Sequence, residues 1–299
     1  MRPLLFCLAL LTVFSLRSTA NALPIPFRLA EVSQCLGRTT DCELGSQQSI
    51  SSGATDSIAG SFGSEADQAQ MTGTASAVSL YGSLGVASSN TINITGSPAL
   101  SESVGDASFQ DNILVSFAPF TGSEGFLAVN YTLDGFSSAS GSANSFARVK
   151  IEVINQAGLD QQYTANLPSS ASGVYGVPLT FTFVYGDPFT LRFDLLTATG
   201  TITPGPAGVG FELTEGAGSG TAATDYFNTL TLAGLHVTDA NGNPVDGVTF
   251  TSDSGTLYTQ DGVELAAPTP EPSSVVLAVL GLTAGAVRVR MRVKSLRNP

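Results

Sequence analysis

Residues 178–196 read Pro-Leu-Thr-Phe-Thr-Phe-Val-Tyr-Gly-Asp-Pro-Phe-Thr-Leu-Arg-Phe-Asp-Leu-Leu, and this stretch decides the fold class. Large apolar side chains alternate with smaller or polar ones on both sides of the break Gly186-Asp187-Pro188. A period of two is typical of half-buried strands, because successive side chains point to opposite faces of a sheet. The two runs therefore predict two strands, and the short break between them predicts a tight antiparallel hairpin.

Similar runs recur along the chain between Gly, Pro, Asn and Asp residues, which favour turns. No stretch of the body has a sustained helical period. Many short strands with frequent turn signals predict an all-β fold, an antiparallel β-sandwich or jelly-roll-like body over residues 74–266. The further predicted strands are Thr74–Tyr81, Ser108–Phe117, Phe126–Leu133, Phe146–Ile154, Phe227–Leu232, Leu235–Thr238, Val248–Thr251 and Leu257–Gln260.

Residues 23–73 are rich in Ser and Gly and only weakly patterned. We expect a weakly ordered segment there, with residues 44–72 irregular or held loosely at an edge. Cys35 and Cys42 lie in this segment, and in an oxidising compartment they are candidates for a disulfide that closes a small loop. No histidine or further cysteine lies near them in the sequence, which argues against a zinc site.

The N-terminal segment has the order of a secretory signal peptide. A positive start at Arg2 precedes an apolar stretch, Leu4–Leu16. Ala20 and Ala22 then fit the small-x-small pattern of a cleavage site. We therefore predict a signal peptide over residues 1–22 and a mature chain that starts at Leu23.

The C-terminal segment, residues 267–299, has three parts. A proline linker contains Pro270, Glu271 and Pro272, and an uncharged apolar run of fifteen residues, 273–287, follows it. This run is short against the about 20 residues that span a bilayer, but Arg and Lys side chains can snorkel to the interface. A basic end stays cytoplasmic under the positive-inside rule. The basic cluster is Arg288, Arg290, Arg292 and Lys294.

These features predict an apolar C-terminal helix that inserts in a membrane, at least transiently, with the body on the far side. Two other interpretations are an ordinary tail anchor with a proline-rich stem and a terminal helix of a soluble fold. The soluble helix is disfavoured because the arginines occupy every second position and match no amphipathic period.

The order of Pro270, Glu271, Pro272, the apolar run and Arg288–Arg292 at the C-terminus resembles the PEP-CTERM sorting signal of Gram-negative bacteria. Members of this family are exported and recognised by exosortase, a membrane transpeptidase-like protease, and lose the tail on the way to the surface or the exopolysaccharide matrix. The resemblance implies an exosortase-type processing enzyme as a partner. It also implies a transient or permanent inner-membrane anchor, and a destination at the cell surface or in the extracellular matrix.

Parts of the body are also similar to proteins that carry this tail, namely residues 81–86, Val177–Leu195, 228–237, 239–245 and Thr251–Tyr258. This resemblance implies a β-rich extracellular domain and transfers no active site.

Charge excludes one class of partner. Without the terminal segments, residues 23–271 carry five Lys and Arg residues against 24 acidic residues, a net charge of −19. Phosphate contacts need a basic face, so a nucleic-acid partner is excluded. An acidic surface keeps an exported protein soluble.

The chain is poor in catalytic residues. The only histidine, His236, lies between Leu235 and Val237 in a predicted strand, and we interpret it as an inert surface histidine rather than the base of a triad. No Gly-x-Ser-x-Gly elbow occurs. Glycoside hydrolysis needs only two carboxylates, and the sequence singles out no pair.

Residues 239–243, Asp-Ala-Asn-Gly-Asn, have the start of a calcium loop without its remainder. Pro244 and Phe250 stand where the full motif has Gly and Glu. We interpret the segment as an Asn-Gly turn between strands and predict no metal and no cofactor. Ca2+ bound by scattered carbonyl and carboxylate oxygens is the alternative, and no complete motif supports it.

The sequence thus predicts a non-enzymatic, exported structural or interaction module that associates with exopolysaccharide or biofilm. The alternatives are a carbohydrate-binding module and a surface glycoside hydrolase. Exposed aromatic rings on a concave sheet would favour the carbohydrate-binding module, whereas a sheet covered with Ser and Thr would not. The candidate rings are Tyr131, Tyr163, Tyr175 and Tyr185.

Overall fold

The computed structural model describes residues 25–37, 44–50, 53–64, 67–167, 169–177, 180–204 and 211–264. In these ranges the chain is all-β and its sheets are antiparallel, as predicted, with one short 3-10 turn at Ala118–Phe120. The strands are β1 (Phe27–Gly37), β2 (Leu44–Ile50), β3 (Gly53–Ser64), β4 (Asp67–Leu80), β5 (Ser83–Ser116), β6 (Glu124–Gly141), β7 (Asn144–Asn155), β8 (Asp160–Asn166), β9 (Ser170–Gly176), β10 (Phe181–Val184), β11 (Phe189–Gly200), β12 (Ile202–Pro204), β13 (Phe211–Leu213), β14 (Gly216–Asp239), β15 (Thr249–Ser252), β16 (Leu257–Thr259) and β17 (Gly262–Glu264).

Strand β5 is 34 residues long and belongs to two sheets. Its second half pairs with β1, β11 and β15 in sheet A, whose strand order is β2-β1-β5-β11-β7-β8. Its first half pairs with β4 and β14 in sheet B, whose order is β3-β4-β5-β14-β6, with β9 and β10 on the far side of β6. Hydrogen bonding is therefore continuous through β5 across thirteen strands.

The main hydrophobic core contains side chains from both sheets. Phe109 and Phe193 stack near its centre with ring centroids 5.2 Å apart, and both side chains are fully buried. Leu127 and Val129 of sheet B belong to the same cluster. Burying one such side chain contributes about 1.5–3 kcal/mol, so this inward alternation stabilises the two-layer arrangement.

The two layers approach closely where small residues face each other. A Cβ atom added to Gly105 of sheet A would lie 2.8 Å from the carbonyl oxygen of Ser76 and 3.1 Å from that of Ala87. Both oxygens belong to strands of sheet B, which places its backbone directly against Gly105. The absence of a side chain at residue 105 therefore permits this spacing.

The predicted hairpin at residues 178–196 is wrong in its pairing. Strand β10 pairs with β6 in sheet B, while β11 pairs with β5 and β7 in sheet A. Gly186, with φ of +88°, lies in a corner that crosses from one sheet to the other. Phe183 and Phe189 meet across this corner with ring centroids 5.7 Å apart. An alternating pattern is equally compatible with a hairpin and with a corner between two sheets, because a strand buries one face in either arrangement.

Other strands are longer than the sequence analysis expected. The predicted strands Phe227–Leu232 and Leu235–Thr238 form one strand, β14, which has register shifts between Tyr226 and Leu230 and between Leu232 and Gly234. Residues 23–73 contain β1, β2 and β3, and β1 pairs with β5 along its whole length. The prediction of a weakly ordered segment over residues 23–73 follows from its small polar residues, which give little periodicity.

Gln161 connects the edges of the two sheets. Its side-chain Nε2 donates to the carbonyl oxygen of Thr182 at 3.1 Å, and its Oε1 accepts from the Thr182 backbone nitrogen at 2.9 Å. Gln161 lies in β8 of sheet A and Thr182 in β10 of sheet B. The side-chain amide thus takes the place of a neighbouring strand along one residue of β10.

Replacing Gln161 by methionine keeps the side-chain length and removes both hydrogen bonds. We expect the free energy of unfolding to fall by about 1–2 kcal/mol, because Thr182 is only half-buried and water replaces part of the loss. Urea unfolding followed by circular dichroism measures the change. Gln162→Met, at an exposed position next to it, is the control, and an equal loss in both variants would contradict the bridging role.

Candidate functional site

His236 is exposed, and its neighbours Leu235 and Val237 are buried in sheet B, as the alternation predicts. Among the described residues, no group of three or more His, Cys, Asp and Glu side chains has the geometry to hold a metal ion. His236 therefore has the environment of a surface strand histidine.

The turn at residues 239–243 is held by hydrogen bonds to Asp239. Its Oδ1 accepts from the backbone nitrogens of Asn241 and Asn243, each at 2.8 Å, and its Oδ2 accepts from Asn243 Nδ2 at 3.0 Å. These bonds hold the pKa of Asp239 below its usual value. Gly242 has φ of +82°, which suits a turn glycine. Both carboxylate oxygens thus accept hydrogen bonds within the turn, in agreement with the Asn-Gly turn interpretation.

The four tyrosines considered as a sugar platform do not form one. Tyr131 and Tyr185 are buried, and Tyr163 and Tyr175 are half-buried against the core. Tyr131 and Tyr175 stack on each other with centroids 5.9 Å apart. All four rings pack against the core, and none of them is fully exposed.

Part of the outer face of sheet B is covered with uncharged polar side chains, and farther along β6 and β14 the same face carries Asp134, Phe136 and Asp225. Cross-strand pairing brings Thr72, Thr91, Thr221 and Ser140 into one row over four strands. Thr74 and Ser89 bond at 2.6 Å and Ser140 and Thr221 at 2.8 Å. We call this surface the hydroxyl face. It comprises Gln70, Thr72, Thr74, Ser89, Thr91, Asn93, Ser138, Ser140, Ser219 and Thr221.

Within each row of the hydroxyl face, neighbouring side chains lie about 4.8 Å apart, because neighbouring strands have that spacing. Each hydroxyl group both donates and accepts a hydrogen bond. The face therefore matches hydrogen-bonding partners of the same kind, namely water and the hydroxyl groups of a polysaccharide.

The outer face of sheet A is charged instead. Three of the four Lys and Arg side chains in the described residues lie there, on β7 and β11. Arg192 donates to Asp194 Oδ1 from Nε at 3.0 Å and from Nη2 at 2.9 Å, and Lys150 lies 3.3 Å from Glu152. Arg192 and Lys150 are thus paired with carboxylates on their own strands, whereas the Nε atom of Arg148 is buried without a hydrogen-bond partner.

Asp106 lies in the same face. Burial, together with the negative charges of Asp194 and Glu31, raises the pKa of Asp106 to about 6, against the opposing effect of Arg148 and Arg192. The folded state therefore binds more protons than the unfolded state between about pH 4 and 6. The free energy of unfolding consequently falls as pH rises through this window.

Asp106→Asn removes this titration. We expect the variant to be more stable than the parent at pH 7.5 by up to about 3 kcal/mol, since one pKa unit corresponds to about 1.36 kcal/mol. At pH 4 the two proteins are expected to be about equally stable. Urea unfolding at both pH values measures the difference, with Asp134→Asn at an exposed position as the control. If the variant gained the same free energy of unfolding at both pH values, the titration of Asp106 would not be the cause of the gain.

Asp111 has the least exposed carboxylate among the residues with a described burial. It accepts hydrogen bonds from Ser254 N at 3.1 Å, from Ser254 Oγ and from Tyr258 Oη at 3.0 Å, and it is completely buried. Burial raises the pKa of Asp111, while these hydrogen bonds lower it. Its contacts hold residues 252–258 onto sheet A, which is a structural role. No sequence motif marked this residue, because its partners lie more than 140 positions away.

Only some of the site residues predicted from the sequence lie within the residues that the structure describes. Cys35 is buried in β1 and is disulfide-bonded. Cys42 lies outside the described residues, so the pairing of these two cysteines stays a prediction. Also outside the described residues are Ala20, Ala22, Pro270, Glu271, Pro272, Arg288, Arg290, Arg292 and Lys294. Within the described ranges, no helix has the length and apolar character to cross a membrane.

Comparison of the chain with protein families, with curated proteins and with solved structures finds no match in any of the three.

Proposed function

We propose that this chain is an exported protein of the cell surface or extracellular matrix that acts as a non-enzymatic structural or interaction module. Its signal peptide directs export, its PEP-CTERM-like tail inserts in the inner membrane, and an exosortase-type enzyme processes the tail. The jelly-roll-like body is then the part that functions outside the cell. Support for this route comes from the two terminal segments of the sequence.

The hydroxyl face is the observation that carries the interaction role. It is uncharged in a chain whose body has a net charge of −19, so it can approach a hydrated polymer without desolvating charges. Its Ser, Thr, Asn and Gln side chains offer many hydrogen bonds of modest individual strength, about 0.5–1.5 kcal/mol each. Such a face does not favour a carbohydrate-binding module, which recognises sugar rings by aromatic stacking, but it suits broad, weak contact of a structural protein with hydrated exopolysaccharide.

The arrangement of the acidic residues supports a non-enzymatic role. Asp111 is enclosed by hydroxyl donors that fix a chain segment, and Asp194 accepts two hydrogen bonds from Arg192. The alternative of a surface glycoside hydrolase predicts turnover on a polysaccharide. Release of reducing ends from the host's own exopolysaccharide by the purified protein would contradict the non-enzymatic proposal.

The export route is tested by the intact mass of the protein recovered separately from the membrane and matrix fractions of its host. We expect a matrix form that begins at Leu23 and ends near Pro270. A chain that keeps Arg288–Pro299 in every fraction would instead identify a permanent anchor and contradict processing.

The interaction role is tested with a triple variant in which Thr72, Thr91 and Thr221 become valine. Valine has the shape of threonine without the hydroxyl group, so the fold is kept and three hydrogen-bonding positions are lost. We expect the matrix-bound fraction to fall several-fold. The control is Thr249→Val, at an exposed position in sheet A. An unchanged matrix-bound fraction in the triple variant would contradict a role for the hydroxyl face.

A further inference from the structure

Three buried polar side chains between the two sheets have no hydrogen-bond partner among the residues that the structure describes. They are Gln34 of β1, Ser103 of β5 and Thr197 of β11, with 2%, 0% and 0% of their surface exposed. The unpartnered atoms are Gln34 Nε2 and Oε1, Ser103 Oγ and Thr197 Oγ1. Most buried polar atoms in folded proteins have a partner, so these four atoms need one.

Strand pairing makes the three side chains neighbours. Gln34 lies directly opposite Ser103 in the pairing of β1 with β5. Ser103 lies opposite Thr199 of β11, and Thr197 is two residues from Thr199 on the same face of that strand. Direct neighbours have Cβ atoms about 5 Å apart and diagonal neighbours about 7 Å apart. The four atoms do not bond one another, and this spacing is one that water molecules can bridge.

Sheet B encloses the Ser103 hydroxyl group from the opposite side. A Cβ atom added to Gly73 of β4 would collide with Ser103 Oγ and would lie 2.6 Å from the terminal methyl group of Met71. Ser103 Oγ therefore points from sheet A into the space that a side chain at residue 73 would fill. The Met71 side chain is buried and is at most a weak acceptor. The glycine makes room for the hydroxyl group, but its side-chain neighbour in sheet B does not satisfy it.

The chemistry of these side chains selects a small neutral ligand. The nearest carboxylates on β5, Glu102 and Asp106, alternate to the outer face of sheet A, so a buried ion would find no opposite charge. The Gln34 amide has both donors and an acceptor, and each hydroxyl group donates and accepts. Water matches this mixture of donors and acceptors. It is also small enough to reach side chains that are almost completely enclosed.

We infer that the interior binds water between the two sheets, where it bridges the Gln34 amide and the hydroxyl groups of Ser103 and Thr197. A buried water molecule makes about three hydrogen bonds to polar groups that otherwise lack a partner. This water site goes beyond the proposed function and does not rest on it. It lies inside the folded body, away from the hydroxyl face, and is independent of export and processing.

The test is oxygen-17 magnetic relaxation dispersion on the full chain, kept soluble in detergent, which counts long-lived internal water molecules. We expect Ser103→Ala and Gln34→Met each to lower this count by about one, because each removes part of a set of about three hydrogen bonds. Ser79→Ala is the matched control, since Ser79 is equally buried and donates to the carbonyl oxygen of Ser108. The control is expected to keep the parent count. An unchanged count in both site variants would overturn the inference.

The sign of the stability change in Gln34→Met is an independent check. Methionine keeps the length of the glutamine side chain and removes its amide. If water satisfies the amide, the substitution removes hydrogen bonds, and we expect the urea midpoint to fall. If the amide is buried without a partner, an apolar replacement removes a desolvation cost, and the midpoint rises. A higher midpoint in Gln34→Met than in the parent would therefore also overturn the inference.

Discussion

Phe193→Ala is expected to lower the free energy of unfolding by about 3–5 kcal/mol, the loss typical of truncating a fully buried aromatic ring. Phe193 is fully buried on β11, and its ring stacks on that of Phe109 at 5.2 Å and an interplanar angle of 12°. Truncation removes this aromatic pair and leaves a cavity at the centre of the main core. Close-packed neighbours collapse only in part, so the cavity adds to the lost transfer free energy.

Urea unfolding at equilibrium, followed by tyrosine fluorescence and far-ultraviolet circular dichroism, measures this loss. The matched control is Phe136→Ala, because Phe136 lies on β6 with 47% of its surface exposed. We expect the control to change the free energy of unfolding by less than about 1 kcal/mol, as surface substitutions usually do. A similar loss in both variants would contradict the position of Phe193 at the centre of the core.

The strands were predictable because burial on one face leaves a local signature. Phe146–Ile154 alternates clearly in the sequence and lies within β7, and Val149, Ile151 and Val153 are buried there. Pairing leaves no such local signature. The runs on either side of Gly186 alternate equally well as a hairpin or as a corner between two sheets, and only the partners β6, β5 and β7 decide between them.

The surfaces were less predictable than the strands. Thr91 and Thr221 are 130 positions apart in the sequence and directly opposite in the sheet, and only the register of β5 with β14 brings them together. The terminal segments differ from the surfaces, because their apolar and basic parts can be identified from the sequence alone. Their residues lie outside the described structure.

The close spacing of the two sheets depends on a layer of small and polar residues beside the main core. Asn90 Nδ2 donates to Ser101 Oγ at 2.9 Å, which joins the two halves of β5 across the interior. Ser88 Oγ and Thr224 Oγ1 bond at 2.9 Å in the same layer. These side chains are buried, so hydrogen bonds between them avoid the cost of unsatisfied polar groups. Large side chains at this end would force the sheets apart and break those bonds.

Gly105→Val is therefore expected to destabilise the protein by about 3 kcal/mol or more, at the upper end of the cost of overpacking a core. The added Cβ atom would lie 2.8 Å from the Ser76 carbonyl oxygen and 3.1 Å from that of Ala87. Both opposing atoms belong to the backbone, so no rotamer change of a neighbour relieves the contact. The two sheets must separate instead, which weakens the nearby bond between Asn90 and Ser101.

The control is Gly176→Val, at the end of β9. A Cβ atom there meets only the side-chain Oδ1 of Asn130, at 3.2 Å, and this side chain can move. Valine is favoured in strands, so we expect Gly176→Val to change the free energy of unfolding by less than about 1 kcal/mol. Urea unfolding gives both values, and hydrogen exchange of the β4 and β5 amides reports whether the layers have separated. A Gly105→Val variant as stable as Gly176→Val would mean that another feature sets the distance between the sheets.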